Sequence, residues 1–285
     1  MGDRLFRITN GVLLGLVGLL MLLPFYYVAV VSVTDPAEYV QQKLILFPTD
    51  WSFDAYHYLI STPAFARSIG NSIFLAAVGT VLALIVSSSL AYALSKKHFV
   101  GRKPIMLVIL LTILFSPGII PQYMLIRELN LIDSLWALII PALANGWNVL
   151  LMKNFFDSIP DELAESSFID GCGDIRTWLY IIIPLSLPAL AAFGLFYAVG
   201  FWNQYFLALI YLNDSAKWPI QVLLQSMLLS GNYTDLGSTS GYVQPPPSQM
   251  LKMASVMIAS IPIIIVYPFL QKHFAKGAMV GSVKG

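Results

Sequence analysis

The side chains of this chain that could do chemistry fall into two groups. The first is a short acidic stretch in which Glu162, Glu165 and Ile169 recur at helical spacing and share one face, while Leu163, Ser166, Ser167 and Asp170 share another. Ser158-Ile159-Pro160-Asp161 reads as the helix start, with Ser158 at the N-cap, proline in the first turn and carboxylates near the positive end of the dipole. Gly171 reads as the stop, and Gly173-Asp174 restarts a second helix that leads through Trp178. Periodicity alone favours a solvated surface helix with ordinary acidic residues. The second group is polar and aromatic residues inside apolar stretches: Asn145, Trp147 and Asn148, then Trp202, Asn203, Gln204 and Tyr205, with Gln122 and Tyr123 further upstream. Amides both donate and accept, and aromatic rings offer a flat face, so together they are candidates for contact with a polar solute. They equally suit hydrogen bonds between helices, an even choice for Asn145 and Asn203 and the better reading elsewhere. Asn71 reads as a helix-start residue.

Other chemistry is excluded. The three histidines, His57, His98 and His273, all lie outside the apolar stretches, and no H-E-x-x-H or Ser-His-Asp arrangement can be assembled there. No G-x-x-x-x-G-K-[ST] loop occurs, so the chain binds no ATP through a P-loop of its own. The single cysteine, Cys172, rules out an intrachain disulfide and a multi-cysteine metal cage.

The elements that must position these residues follow from composition. Hydrophobic residues make up 58% of the 285 and charged residues 11%, against roughly 45–50% and about 25% in soluble domains. The 16 basic and 15 acidic side chains cannot clothe a soluble surface of this size, and a formal net charge of +1 offers no field for nucleic acid. Stretches free of Asp, Glu, Lys, Arg and His run over 8–34, 68–95, 104–126, 134–152, 177–213 and 253–271. Each can hold a helix of about 20 residues, the length that crosses the hydrocarbon. The expectation is an all-α polytopic membrane protein of six transmembrane helices, forming a single transmembrane domain over 1–285. Pro184 and Pro188 near the start of the long fifth stretch predict a short interfacial helix that breaks before the span proper. The first stretch is too long for a signal core and reads as a retained span. No ionisable side chain lies in any span, so a proton relay or voltage sensor is absent and energy for uphill movement must enter from another polypeptide.

Basic residues set the orientation. Arg4, Arg7, Lys96, Lys97, Arg102, Lys103, Lys153, Arg176, Lys272, Lys276 and Lys284 fall on one side, and only Lys43, Arg67, Arg127, Lys217 and Lys252 on the other. Both termini are therefore cytoplasmic, with extracytoplasmic loops at 35–67 and 214–252, a cytoplasmic loop at 153–176 and a cytoplasmic tail at 276–285. The first outer loop carries Trp51, Phe53, Tyr56, Tyr58 and Leu59, an aromatic helix at the membrane interface. The second carries Gly231, Gly237, Gly241 and Pro245-Pro246-Pro247, turn chemistry that suits a docking loop and a connector alike.

Spacing in the cytoplasmic loop adds a resemblance. Glu165-Ser166-Ser167, three residues, Gly171, nine residues, Ile181, one residue, Ile183-Pro184 resembles the EAA loop of ABC importer permeases, with every gap length in agreement. Ser166 and Ser167 replace two alanines, and Ile183 replaces a leucine. Ile159-Pro160, Ile169-Asp170-Gly171 and the tail Lys276-Gly277-Ala278-Met279-Val280-Gly281-Ser282-Val283-Lys284-Gly285 are similar to the carbohydrate branch, relatives of the maltose importer's smaller permease subunit. The ending looks closest to permeases for larger or acidic oligosaccharides, alginate importers included.

The resemblance implies the ABC importer type I permease fold in a bacterial inner membrane and a mechanism. Glu162, Glu165, Ser166, Ser167, Asp170 and Gly171 would form the contact with a cytoplasmic ATPase dimer, Gly171 supplying the hinge, Asp170 capping or salt-bridging within the loop, and the two serines permitting a close fit in the ATPase cleft. Gly281, Ser282, Val283, Lys284 and Gly285 would reach between the ATPase subunits. ATP and Mg would be bound by the ATPase, with no cofactor on this chain, no metal and no catalytic residue. A second permease subunit, an extracytoplasmic solute-binding protein, membrane lipid and a sugar complete the partners, and Asn145, Trp147, Asn148, Trp202, Asn203 and Gln204 are candidates for the sugar path. An importer of another solute, a channel or facilitator, and an intramembrane enzyme are the alternatives; the last two leave the spacing from Glu165 to Pro184 without a purpose.

Overall fold

A computed structural model describes residues 2–41, 45–230 and 246–281. Its elements, among the described residues, are helical: α1 (Gly2–Ser32), α2 (Pro36–Gln41), α3 (Asp54–Ser61), α4 (Pro63–Ser95), α5 (Arg102–Leu114), α6 (Ile119–Glu128), α7 (Trp136–Ile139), α8 (Gly146–Asp157), α9 (Asp161–Ile169), α10 (Asp174–Thr177), α11 (Ile183–Leu185), α12 (Leu187–Trp202), α13 (Phe206–Tyr211), α14 (Ile220–Ser230) and α15 (Ser248–Gly281). Among the described residues the one β-type pairing is an isolated bridge between Thr34 and Trp51.

Three uninterrupted helices among the described residues are long and apolar enough to cross a membrane: Phe6–Ser32, Pro63–Ser95 and Ser248–Val266. Asp174–Leu185 and Leu187–Trp202 form an apolar pair bent by 87°, the geometry of a broken span or a re-entrant loop. The bend falls at Ser186 between Pro184 and Pro188, where two missing amide donors weaken the helix ladder. The stretches 104–126 and 134–152 are each taken up by two shorter helices instead of one 20-residue span. Pro117 pushes Ser116 out of the helical region and Gly118 sits at φ 82°, which separates α5 from α6. Between α7 and α8 the chain leaves the helix at Asn145, whose side chain caps the next one by accepting from the Asn148 amide at 3.2 Å.

The chain divides into two compact units. In the unit made of Met1–Arg67 and Leu223–Pro262, the Ser32 and Tyr56 hydroxyls lie 2.7 Å apart. Glu38 gathers the Thr49 amide and hydroxyl and the Asp50 amide, which holds its carboxyl below the ordinary carboxylate range. Tyr58 and Leu59 of α3 are buried and Ile60 is exposed, while Trp51 and Phe53, both exposed, precede the helix and are not part of it.

The other unit, Ser68–Val222 with Ile263–Gly285, holds two apolar cores. Leu75, Ala83, Ile126, Leu138, Ile139, Phe201 and Tyr211 form one. Ala91, Leu94, Ile109, Val149, Met152, Phe156, Ile182 and Phe193 form the other. Both are built on α4 and α12. Lipid is as apolar as these side chains, so close van der Waals packing holds helices together, and small residues permit it. A Cβ on Gly79 would come within 2.7 Å of the Phe201 ring, and one on Gly146 within 3.0 Å of Ile113. Asn71 is not a helix-start residue: it lies inside α4, and its amide donates to the carbonyls of Ala216 and Trp218 at 3.0 and 3.2 Å.

Candidate functional site: a helical elbow and a polar pocket

The acidic helix forms where the spacing places it, with a different start. Ser158 ends α8 and donates to the Phe155 carbonyl at 2.6 Å, while Pro160 takes the N-cap position of α9 with no side-chain cap. Proline at that position cannot continue α8, so the chain breaks two residues later than the serine. The stop is as expected. Gly171 adopts φ 80°, its amide donates to the Phe168 carbonyl at 3.0 Å, and the Cys172 amide reaches the Ser167 carbonyl at 2.9 Å. These two bonds are a Schellman closure, which needs a left-handed residue and therefore favours glycine. Gly173 then caps α10 through its extended backbone.

Two side chains lock the elbow. Ser167 is only 3% exposed; its hydroxyl donates to the Ala164 carbonyl at 2.7 Å, so the Thr177 hydroxyl, 2.8 Å away, donates to it. Ser167 thus faces α10 and not a partner's cleft, a correction to the expectation for that residue. Ser166 is exposed and bonds only the Leu163 carbonyl. Asp170 is exposed and its carboxylate has no partner among the described residues, so the expected cap or salt bridge is not formed by its side chain; only its amide, donating to the Ser166 carbonyl, closes the helix.

The outer surface of the elbow is mixed acidic and apolar. Glu162, Glu165 and Phe168 are exposed, Ile169 is 86% exposed, and Ile175 on α10 lies open as well. Ile169 and Ile175 add exposed apolar side chains to that surface. Behind α9 lies a cavity of about 650 Å³, lined among others by Tyr92, Lys96, Lys97, Arg102, Asp157 and Glu162. Lys96 stands 4.8 Å over the Tyr92 ring, and Lys153 pairs with Asp157 at the end of α8. Of the tail, Gly281 closes α15, and Ser282, Val283, Lys284 and Gly285 lie outside the described residues. So does 231–245, most of the stretch expected as the second extracytoplasmic loop.

The polar residues of the spans divide. Asn145, Asn148 and Gln204 are brought together in a pocket of about 170 Å³ between α8 and α12, with Ala142, Phe196, Tyr197, Gly200 and Phe201 as the other walls. Trp147 points elsewhere and is 62% exposed, while Trp202 is 5% exposed and belongs to the interior. Asn203 is engaged outside the pocket, accepting from Gln221 at 3.5 Å. Tyr123 packs on Tyr211, ring centroids 6.3 Å apart. Phe196 and Tyr197 escaped the sequence reading because an aromatic residue in an apolar span carries no signal of its own.

A model of the family described as "Binding-protein-dependent transport system inner membrane component" matches residues 1–280. The chain is 46% identical over 290 residues to the polygalacturonan/rhamnogalacturonan transport system permease protein YtcP of Bacillus subtilis (strain 168), with 100% of both chains covered. It is 45% identical over 282 residues to Protein LplC of the same organism, covering 99% of this chain and 96% of that one. Among solved structures it is similar to a chain of a bacterial ABC transporter involved in the import of the acidic polysaccharide alginate. That match has a TM-score of 0.89 and 34% identity, and covers 96% of this chain and 98% of the other.

Proposed function

The chain belongs to the family of binding-protein-dependent transport system inner membrane components, and from that membership we propose that it is the permease subunit of an ATP-driven importer of oligosaccharides, acidic ones included. It is a multi-pass inner-membrane protein and not itself an enzyme. Relatives named for polygalacturonan/rhamnogalacturonan and for alginate support the substrate class. The observation that carries the coupling role is the elbow itself, an exposed acidic and apolar α9 closed by a left-handed Gly171 and tied to α10 by Ser167 and Thr177.

That geometry suggests how force travels. Glu162, Glu165, Ser166 and Ile169 meet the cleft of an ATPase that holds ATP and Mg, and the Asp170-Gly171 corner sets the angle of approach. The lock between Ser167 and Thr177 passes displacement of α9 to α10, the helix continues through a π-helical turn over Trp178–Ile182 into α11, and the bend at Ser186 delivers it to α12. Phe196, Gly200 and Gln204, which line the membrane pocket, ride on or just beyond α12. Movement of packed helices between discrete arrangements is the expected form of alternating access.

One such elbow serves one cleft, so a second, unlike permease completes the pair opposite an ATPase dimer. The segment 231–247 docks a soluble solute-binding protein, and the tail from Gly281 through Ser282, Val283 and Lys284 to Gly285 reaches between the ATPase subunits. The test is uptake of a labelled galacturonate trisaccharide into proteoliposomes holding the full complex, with ATP inside and binding protein outside. ATP-dependent accumulation is expected. Absence of uptake, or accumulation without ATP, sinks the reading.

A further inference from the structure

Resting on the importer reading, we propose that the pocket between α8 and α12 is an uncharged subsite that takes one sugar ring by its hydroxyls and ring face and does not read a sugar carboxylate. Its size sets the first limit. About 170 Å³ lies below the roughly 300–1,000 Å³ of a drug-sized site, so it admits a single ring of a longer chain.

Its electrostatics set the second. None of the residues lining it is ionisable apart from the phenol of Tyr197. The Tyr197 hydroxyl is already committed: Ser87 donates to the Leu143 carbonyl at 2.9 Å, so Tyr197 donates to Ser87 at 2.7 Å. What it presents to the pocket is therefore a ring. Two helix ends also meet there, the N-terminus of α8 at Asn145 and the C-terminus of α12 near Phe201. Their partial charges are opposite in sign.

The remaining polar groups match a polyol. Asn145 uses its oxygen to cap the Asn148 amide at 3.2 Å, which leaves its NH₂ to donate. Among the described residues the side-chain amides of Asn148 and Gln204 have no protein partner, and each offers donors and an acceptor together. Hydroxyls need both. Phe196, 49% exposed, supplies a flat face for ring carbons, and Gly200 lets the sugar approach the backbone. A carboxylate, by contrast, would be taken out of water with no cation among the residues that line the pocket, an unfavourable exchange. For an acidic oligosaccharide, the charged groups must then be met on another surface of the transporter.

The experiment is saturation-transfer NMR titration of the intact permease–ATPase complex in nanodiscs, without binding protein, using a galacturonate trisaccharide and its carboxyl-reduced, neutral counterpart. Both sugars should bind in the millimolar range, with signal from protons of one ring. Gln204→Leu, and separately Asn148→Leu, should weaken both sugars by the same factor, roughly tenfold for a hydroxyl left unpaired, and Gln204→Asn should recover part of the loss. Co-purification of the second permease and the ATPase checks that each variant assembles, and the two positions give independent readings if one does not. Binding of neither sugar, binding of the acidic sugar alone, a loss confined to the acidic sugar, or no loss in either variant would each overturn the proposal. Uptake by the unaltered transporter is a separate measurement, so a failed subsite leaves the importer reading standing, and failed uptake is recognisable on its own.

Discussion

The hydroxyls of Ser167 and Thr177 meet at 2.8 Å across a glycine-closed break, both side chains buried. Because Ser167 also donates to the Ala164 carbonyl, the pair joins the last turn of α9 to the end of α10. A neutral hydrogen bond of this kind contributes about 0.5–1.5 kcal/mol, and a buried hydroxyl left alone costs about 1–3 kcal/mol. Ser167→Ala and Thr177→Val should therefore each lower the unfolding midpoint of the purified complex, and the double variant should lose less than the two together. A double-mutant cycle on thermal unfolding reads the coupling directly. Independent, additive losses would show that the contact carries nothing, whereas exposed Ser166→Ala should stay within about 0.5 kcal/mol.

Gly171 has open space around the position of a Cβ, yet its φ of 80° is one that a β-branched residue resists. Gly171→Val should therefore act through the backbone, at about 1–2 kcal/mol for the left-handed conformation, and not through a clash. Uptake per ATP hydrolysed should fall or the ATPase should detach, with the membrane part still folded by circular dichroism. Gly171→Asn, which tolerates left-handed φ, should retain most transport. Normal transport by the valine variant would remove Gly171 from the coupling role.

Some of this was legible because local chemistry decides it. Pro184 and Pro188 announce the 87° break, and Gly171 announces the end of α9. Ser158 misleads because a serine before Ile-Pro looks like an N-cap, whereas here it closes the preceding helix and Pro160 cannot continue it. The inward turn of Ser167 depends on Thr177, a tertiary partner that helix periodicity cannot reveal. Asn145, Asn148 and Gln204 stood out as amides in apolar stretches, but only packing of α8 against α12 separates them from Trp147, Trp202 and Asn203. The interruptions at Gly118 and Asn145 were hidden by unbroken hydropathy, which measures burial in lipid and not helix continuity.

The crossing of α4 and α12 at Gly79 and Phe201 has no room to spare. Three atoms of the Phe201 ring lie 2.7 to 2.8 Å from the place a Cβ would occupy. Gly79→Ala should destabilise the permease by about 1–3 kcal/mol through overpacking, although alanine is the better helix former. Adding Phe201→Leu should return part of that stability. Thermal unfolding of the detergent-purified complex decides it, and an unchanged or higher midpoint for Gly79→Ala would mean that the helices can separate freely there.

Asp133 holds the segment after α13 through its charge and its backbone. It sits at φ 60°, its amide donates to the Tyr211 carbonyl at 2.7 Å, its carboxylate accepts from the Asn213 and Asp214 amides at 3.1 and 3.0 Å, and Lys217 pairs with it. The Lys217 hydrogen bond, followed by the Asp214 amide, holds the carboxyl below its ordinary value of 3.8. A depressed carboxylate stabilises the fold above its ordinary pKa and loses that contribution as pH falls through the folded value. Protection of the Asn213 and Asp214 amides from hydrogen exchange, corrected for intrinsic rate, should thus be flat from about pH 8 to about pH 5 and decline only below the ordinary carboxylate range. Asp133→Asn keeps a residue that accepts left-handed φ and an oxygen for the two amides, so it should lose the Lys217 contribution alone and part of the protection at neutral pH. Asp133→Val adds backbone strain to the missing acceptor and should lose most of it. Protection that falls away between about pH 7 and 6, where histidine titrates, would assign the clamp to a different group and overturn this account of Asp133.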